Sequence, residues 1–283
     1  MSDRLAVAVQ HLLPKLALTR LMGGLAQTEG GAATRAAIRW FIRRYGVNMS
    51  EAADLRVESY ATFNAFFTRA LRPGARPLAP SRFISPVDGA VSQCGSITAD
   101  RMFQAKGQDY SLRALLGGSD AIAAPFKDGS FATLYLSPRD YHRIHMPCTA
   151  WLTRMIHVPG TLYSVSPLTA RNIPALFARN ERVVCLFENS DGPFAMVLVG
   201  ATIVGSMATV WHGTVNPPRP IGLREWTYAP GAVILEQGAE MGRFQLGSTV
   251  VMVFPPDTLS LNADWIEARP VRMGEPMATG KVA

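Results

Sequence analysis

Apolar residues recur at helical spacing through residues 4–26, at Leu5, Val7, Val9, Leu12, Leu13, Leu16, Leu18, Leu21, Met22 and Leu25. The pattern predicts a helix broken near Pro14, since proline lacks a backbone donor and clashes with the preceding turn. Gln10, His11, Pro14, Lys15 and Arg20 interrupt the run. It therefore falls short of the ~18–20 apolar residues of a membrane span and fits a signal peptide poorly. A second helix is predicted over residues 33–45, with Arg35, Arg39 and Arg43 every four residues on one face. Ile38, Trp40, Phe41, Ile42 and Tyr45 cover much of the rest. A third, over residues 62–72, turns Phe63, Phe66, Phe67 and Leu71 inward. A basic amphipathic helix beside an apolar one suits an anionic membrane surface. An ordinary helix packed on the core with a solvated basic face fits the same residues.

After Pro73-Gly74 the texture changes. Short apolar or alternating runs punctuated by Gly and Pro predict strands at Ala90–Ile97, Phe131–Leu136, Ala150–Val158, Arg182–Phe187, Ala195–Thr209, Ala232–Glu236 and Thr249–Phe254. Two short helical stretches interrupt them, near Ser111–Leu116 and Leu168–Ala178, the second kinked or restarted at Pro174. The fold class expected is α+β. Residues 1–75 are expected to form a helical, membrane-associating segment, and residues 76–283 a β-rich catalytic domain.

Composition narrows this picture. At 283 residues and 48% apolar, the chain can bury ~70–75% of its unfolded surface. Cys94, Cys148 and Cys185 are odd in number and widely spaced, which argues for a reducing compartment over a disulfide framework. Residues 1–76 hold 11 Lys/Arg against 5 Asp/Glu, so they carry nearly all of the +7 net charge. A basic partner surface thus belongs to the N-terminal segment. No aromatic-and-basic pattern continues into the body, so no nucleic acid is expected as a partner. Gly-rich phosphate loops and dinucleotide fingerprints are missing.

The candidate chemistry centres on Leu246-Gly247-Ser248-Thr249, directly before the apolar run Val250–Phe254. Gly247 tolerates strained φ/ψ and leaves its carbonyl open, and the Ser248 hydroxyl is one residue away. Attack of that hydroxyl on the carbonyl turns the amide into an ester. Elimination and hydrolysis then leave a pyruvoyl group at a new N-terminus. A bulge or turn explains the same tetrapeptide. Asp88, in Pro86-Val87-Asp88-Gly89, has an equally ordinary reading as a turn residue. The stretch from Ser137 to Pro147 is more unusual, holding His142 and His145, two of the five histidines, between prolines. In an extended chain the two point to opposite sides, which suits two separate proton tasks. Cys148 extends the run to His-x-x-His-x-x-Cys, but no further ligand set follows, so no metal is expected.

Asp88, His145 and Ser248 would form an orienter, base and nucleophile in an order that some serine hydrolases share. The Gly-x-Ser-x-Gly elbow of a hydrolase is missing, and here the serine leads into a strand. A pyridoxal-type enzyme needs a lysine; of Lys15, Lys106, Lys127 and Lys281, only Lys106 has a suggestive setting, compatible with a phosphate contact or a solvated loop.

Taken together, these blocks resemble the bacterial, membrane-associated, pyruvoyl-dependent phosphatidylserine decarboxylases. The similarity rests on Pro86–Gly89, Tyr135–Pro147, Leu176–Arg182, Leu198–Ser206, and Gly238–Phe244 running into Leu246–Thr249, and spans roughly residues 60–270. Gln237 departs from it, standing where the family is expected to have a lysine. The resemblance implies that Asp88 orients His145, and that His145 deprotonates Ser248 for attack on the Gly247 carbonyl. Cleavage would give a β chain of residues 1–247 and an α chain of residues 248–283, beginning with a pyruvoyl cofactor made from Ser248. That group would be the Schiff-base site for phosphatidylserine, with His142 as proton donor in decarboxylation. Phosphatidylethanolamine and carbon dioxide would be the products. It further implies a peripheral place on the cytoplasmic side of the cell membrane. The partners would be phosphatidylserine in an anionic bilayer and the two chains of one precursor, and assembly into a homo-oligomer is compatible. The loop from His157 to Val165 is a second segment compatible with lipid contact or with burial.

Overall fold

A computed structural model describes residues 3–105, 107–203, 206–245 and 249–280. Helices α1 (Asp3–Leu12) and α2 (Lys15–Gln27) are parted at Leu13-Pro14, as the proline dictates. Helix α3 (Ala32–Tyr45) ends on Gly46 in the left-handed conformation, where its N–H caps the Ile42 carbonyl. Among the described residues, no helix is long and apolar enough to cross a membrane.

Helix α4 (Phe63–Phe67) is shorter than the predicted 62–72. Thr62 caps its start, but beyond Thr68 the chain turns to the segment at residues 51–53. Ala53 N–H reaches Ala70 O (2.9 Å) and Arg72 N–H reaches Glu51 O (2.9 Å). Pro73 disfavours helical geometry at Arg72, and these backbone bonds satisfy the polar groups that a helix would otherwise have used.

The body is built on a nine-stranded antiparallel sheet. Its order is Arg224–Thr227, Ala150–Val158, Arg182–Asn189, Gly192–Val199, Thr249–Phe254, Ser130–Tyr135, Gly89–Ser96 and Pro270–Val271, with Ile234–Leu235 also paired to Ala150–Val158. Thr249–Phe254 lies at the centre, buried along its whole length. Val250, Met252 and Phe254 enter one core with Phe194 and Leu134, while Val251 and Val253 enter another with Phe131 and Val197. A strand covered on both faces reads as an unbroken apolar run, which is why Val250–Phe254 shows no alternation.

A four-stranded sheet follows the order Gly213–Asn216, Met207–Thr209, Glu240–Phe244 and Arg143–His145. The expected single run Ala195–Thr209 is therefore two strands in two sheets, parted at residues 200–206. Helices and a strand-rich body make the fold α+β, as expected. The N-terminal helices pack on this body: Val7, Ala26, Phe41, Phe63 and Phe67 join the core that holds Val251 and Val253.

Candidate active site

The two strands that lead into and out of the Gly247–Ser248 bond belong to different sheets. Glu240–Phe244 pairs with the histidine strand, setting Glu240 opposite His145 and Arg243 opposite Arg143. Phe244 N–H extends this pairing to the His142 carbonyl (3.2 Å). On the far side, Thr249 opens the central strand between Tyr135 and Val199. Leu246, Gly247 and Ser248 themselves, and Lys106 and Lys281, lie outside the described residues. The chain thus passes from the histidine sheet to the main sheet within the four residues that contain the candidate cleavage bond.

His145 is held at both ring nitrogens. Nδ1 lies 2.8 Å from the Gly238 carbonyl, and Nε2 lies 2.9 Å from the Tyr141 hydroxyl. A carbonyl only accepts, so Nδ1 carries the proton and Nε2 presents the lone pair. Burial lowers the proton affinity of this imidazole, with the Gly238 hydrogen bond and the charges of Glu240 and Asp88 opposing the effect. A neutral imidazole with a defined lone pair is the form a general base requires.

Among the described residues, Asp88 makes no hydrogen bond to His145. Its carboxylate is gripped instead by Arg76, whose Nε lies 2.9 and 3.2 Å from the two oxygens, and by the Met273 N–H at 2.9 Å. Arg76 also donates to Glu51 (2.7 Å), and these hydrogen bonds to Asp88 and Glu51 raise the affinity of its guanidinium for its proton. The backbone still ties Asp88 to the site, because His145 N–H donates to the carbonyl of Pro86, two residues earlier (2.9 Å). The Gly238 carbonyl makes the hydrogen bond to His145 expected of Asp88, whose charge is among those that raise the proton affinity of the imidazole.

His142 faces a different environment, as an extended chain requires of residues three apart. Nδ1 donates to the Asp140 carbonyl (2.8 Å), and the Phe67 ring packs over the imidazole with centroids 4.0 Å apart. Nε2 is buried and has no hydrogen-bond partner among the described residues. Burial, reinforced by the nearby Arg69 charge, pushes the pKa down to about 3, so the ring is neutral. Thr249, next in sequence to Ser248, likewise has a buried Oγ1 without a partner. Cys148 Sγ accepts from Asn189 (3.1 Å).

A cavity of about 660 Å³ opens beneath α2, lined by Thr19, Arg20, Asn64, Ser206, Arg219 and Gln245 among others. Gln245 is three residues before Ser248 in the chain. Sequence reasoning missed Tyr141, Gly238, Arg76 and Arg219. Tyr141 and Gly238 lie inside the blocks singled out from the sequence, but their roles arise from a hydroxyl and a backbone carbonyl that carry no motif of their own. Arg76 and Arg219 gave no signal beyond their charge.

Residues 63–279 match the family model described as phosphatidylserine decarboxylase, and residues 5–46 match a model described as PSD. The phosphatidylserine decarboxylase proenzyme of Azoarcus sp. (strain BH72) is 65% identical over 277 residues, covering 98% of this chain and 96% of that protein. The proenzyme of the same description from Dechloromonas aromatica (strain RCB) is 62% identical, covering 99% of each chain. That of Variovorax paradoxus (strain S110) is 63% identical, covering 98% of each.

Proposed function

The chain belongs to the phosphatidylserine decarboxylase family, and from that premise we propose that one site, built around Gly247-Ser248, serves first self-cleavage and then lipid decarboxylation. The enzyme converts phosphatidylserine to phosphatidylethanolamine and carbon dioxide, and it is made as a proenzyme that processes itself.

In maturation, His145 Nε2 takes the Ser248 hydroxyl proton as the oxygen attacks the Gly247 carbonyl. The Tyr141 hydroxyl holds that lone pair until the serine replaces it. The amide becomes an ester, and elimination of the Gly247 carboxylate leaves dehydroalanine at 248. Addition of water and loss of ammonia then give a pyruvoyl group, separating residues 1–247 from residues 248–283. Asp88 and Glu240 favour the imidazolium that forms on His145 during the first step.

The residues present fit such a group. Thr249 Oγ1 at the start of the central strand and His142 Nε2 beside the strand that leads to Gly247, both buried without partners among the described residues, supply polar atoms on either side of it. Once formed, the pyruvoyl group would supply a ketone and an adjacent carbonyl as the sink for the electron pair that carbon dioxide leaves. His142 holds the proton of turnover at Nε2. It is neutral in the free enzyme, and the substrate carboxylate, once buried beside it, raises its proton affinity. From there the proton would reach the carbon that carbon dioxide has left, beside the Phe67 ring that packs over the imidazole.

The protein works from the cytoplasmic side of the membrane, held peripherally by its N-terminal helices on an anionic bilayer. Leu12, Leu21, Leu25 and Trp40 project from them into solvent, beside the exposed Arg39, Arg43 and Arg44. The observation that supports the whole reading best is the backbone pairing of the His142–His145 segment with the strand that feeds Gly247-Ser248. Denaturing electrophoresis with an assay of carbon dioxide release tests it. Wild-type protein is expected to show two chains and activity, and Ser248→Ala one chain and none. Activity in Ser248→Ala protein would refute the reading.

A further inference from the structure

Two cavities meet at a pair of arginines. The cavity beneath α2 shares Arg20 and Arg219 with a second, of about 600 Å³, between residues 14–17 and the loop at residues 159–162. Arg219 is braced from behind. Its Nε donates to Oε2 of Glu181 (2.8 Å), and the other oxygen of that carboxylate accepts from Nε2 of the fully buried His157 (2.9 Å). Burial works against the charge of Glu181, but the hydrogen bonds from His157 and Arg219 outweigh it and hold its carboxyl below the usual range. The Glu181 backbone is pinned too, by Thr161 O and Gly200 N–H, both at 2.8 Å. A carboxylate fixed in this way sets the plane of the guanidinium in front of it.

The rest of Arg219 is uncommitted. Its side chain is only 14% exposed, yet its two terminal nitrogens have no hydrogen-bond partner among the described residues. The exposed Arg20 guanidinium is likewise unpartnered among them, and Lys15 lines the second cavity. Among the described residues that line the two cavities, three cations thus stand against the single anion Glu181. The outer rim carries Leu16 and Pro220, next to the fully exposed Ile221. The inner cavity leads past Ser206 and Asn64, whose Oγ and Oδ1 are buried without partners among the described residues, to Gln245. An apolar rim, a cationic throat and a polar interior follow the order of acyl chain, phosphodiester and amino acid in a lipid headgroup.

We propose that Arg219, aimed by Glu181 and assisted by Arg20, is the receptor for the anionic phosphodiester of the substrate, and holds the serine portion toward Gln245. A planar guanidinium with both terminal nitrogens free makes two parallel bonds to phosphate oxygens, which a lysine cannot reproduce. This inference rests on the decarboxylase reading, since it deepens the use of that same site.

The test is steady-state kinetics with phosphatidylserine in mixed micelles, on self-cleaved Arg219→Gln, Arg219→Lys and Arg20→Gln proteins. Arg101→Gln, at a distant ion pair with Asp109, is the control. Arg219→Gln is expected to raise KM at least about tenfold with little change in kcat, matching a lost charged hydrogen-bond pair. Arg219→Lys should recover only part of that loss, and Arg20→Gln should raise KM by a smaller factor. Because Arg219→Gln strips Glu181 of a partner and can impair folding, Arg20→Gln provides an independent arm on an exposed residue.

Soluble glycerophosphoserine should inhibit wild-type enzyme competitively, and Arg219→Gln enzyme much less. Equal inhibition of the wild type by inorganic phosphate would overturn the diester assignment in favour of a free phosphate site. An unchanged KM in both Arg219→Gln and Arg20→Gln would overturn the proposal while the decarboxylase reading stood. An inactive wild type would instead remove the reading on which it rests.

Discussion

At the scale of single residues, the site divides its labour between two imidazoles by giving them different neighbours. Among the described residues, His145 has a partner at each nitrogen, whereas His142 has one partner and one unpaired, buried nitrogen. His142→Ala protein is accordingly expected to cleave itself normally but to release carbon dioxide at least about a hundredfold more slowly, as loss of a general acid does. An uncut His142→Ala chain would reverse the assignment.

The same burial links folding to pH. The folded-state pKa of His142 is about 3, below its unfolded value near 6.5, so the unfolded chain binds more protons between those values. Stability should fall as pH drops from 6.5 toward 3, by up to about 1.4 kcal/mol per pH unit from this group. His142→Asn should flatten part of that slope in urea titrations at several pH values; an unchanged slope would contradict the burial. Arg76 clamps the Asp88 carboxylate, so Arg76→Gln and Asp88→Asn should both slow self-cleavage. Each should also destabilise the fold by about 3–5 kcal/mol, because a largely buried charge is left without its main partner. Normal self-cleavage in Arg76→Gln protein would free Asp88 from that dependence.

At the scale of elements, the short helix α4 matters more than its length suggests. It presents Phe67 to the His142 ring on one side and to the Phe41 and Phe63 rings on the other. Phe67→Ala is expected to cost about 3–5 kcal/mol. It should also raise the His142 pKa by admitting water, which NMR titration of the imidazole would detect; an unmoved titration would mean that Phe67 does not keep the site dry.

Elements with a continuous local pattern were legible from the chain alone. Thr249–Phe254, Ala150–Val158 and α3 match their sequence-derived bounds closely, because each lies on a face or in a core that demands one residue type throughout. The overlong α4 and the merged run Ala195–Thr209 failed for a common reason. Their ends are set by distant partners, at Glu51 and in the Glu240–Phe244 strand, which local periodicity does not encode. The histidines were readable as chemistry, yet the Gly238 carbonyl that orients His145 was not, because any residue offers a carbonyl.

At the scale of the whole molecule, the basic N-terminal segment is part of the structure it would anchor. Ile38 is fully buried with Val47 and Phe66, so deleting residues 1–45 would open the core as well as remove the charges. Substitutions confined to the surface separate the two effects. Arg43→Gln combined with Arg44→Gln should weaken binding to anionic liposomes most at low salt and leave the thermal midpoint within about a degree or two. Leu21→Ser combined with Leu25→Ser should weaken binding at every salt concentration. Binding that ignored both pairs would take the membrane role away from these helices.

The active enzyme itself offers the most direct measurement: intact mass of purified, decarboxylating protein, followed by borohydride reduction. Two chains are expected, corresponding to residues 1–247 and 248–283, the shorter one resistant to Edman sequencing and gaining the mass of two hydrogens on reduction. A single, unbroken chain of 283 residues with full activity and an ordinary serine at position 248 would contradict this.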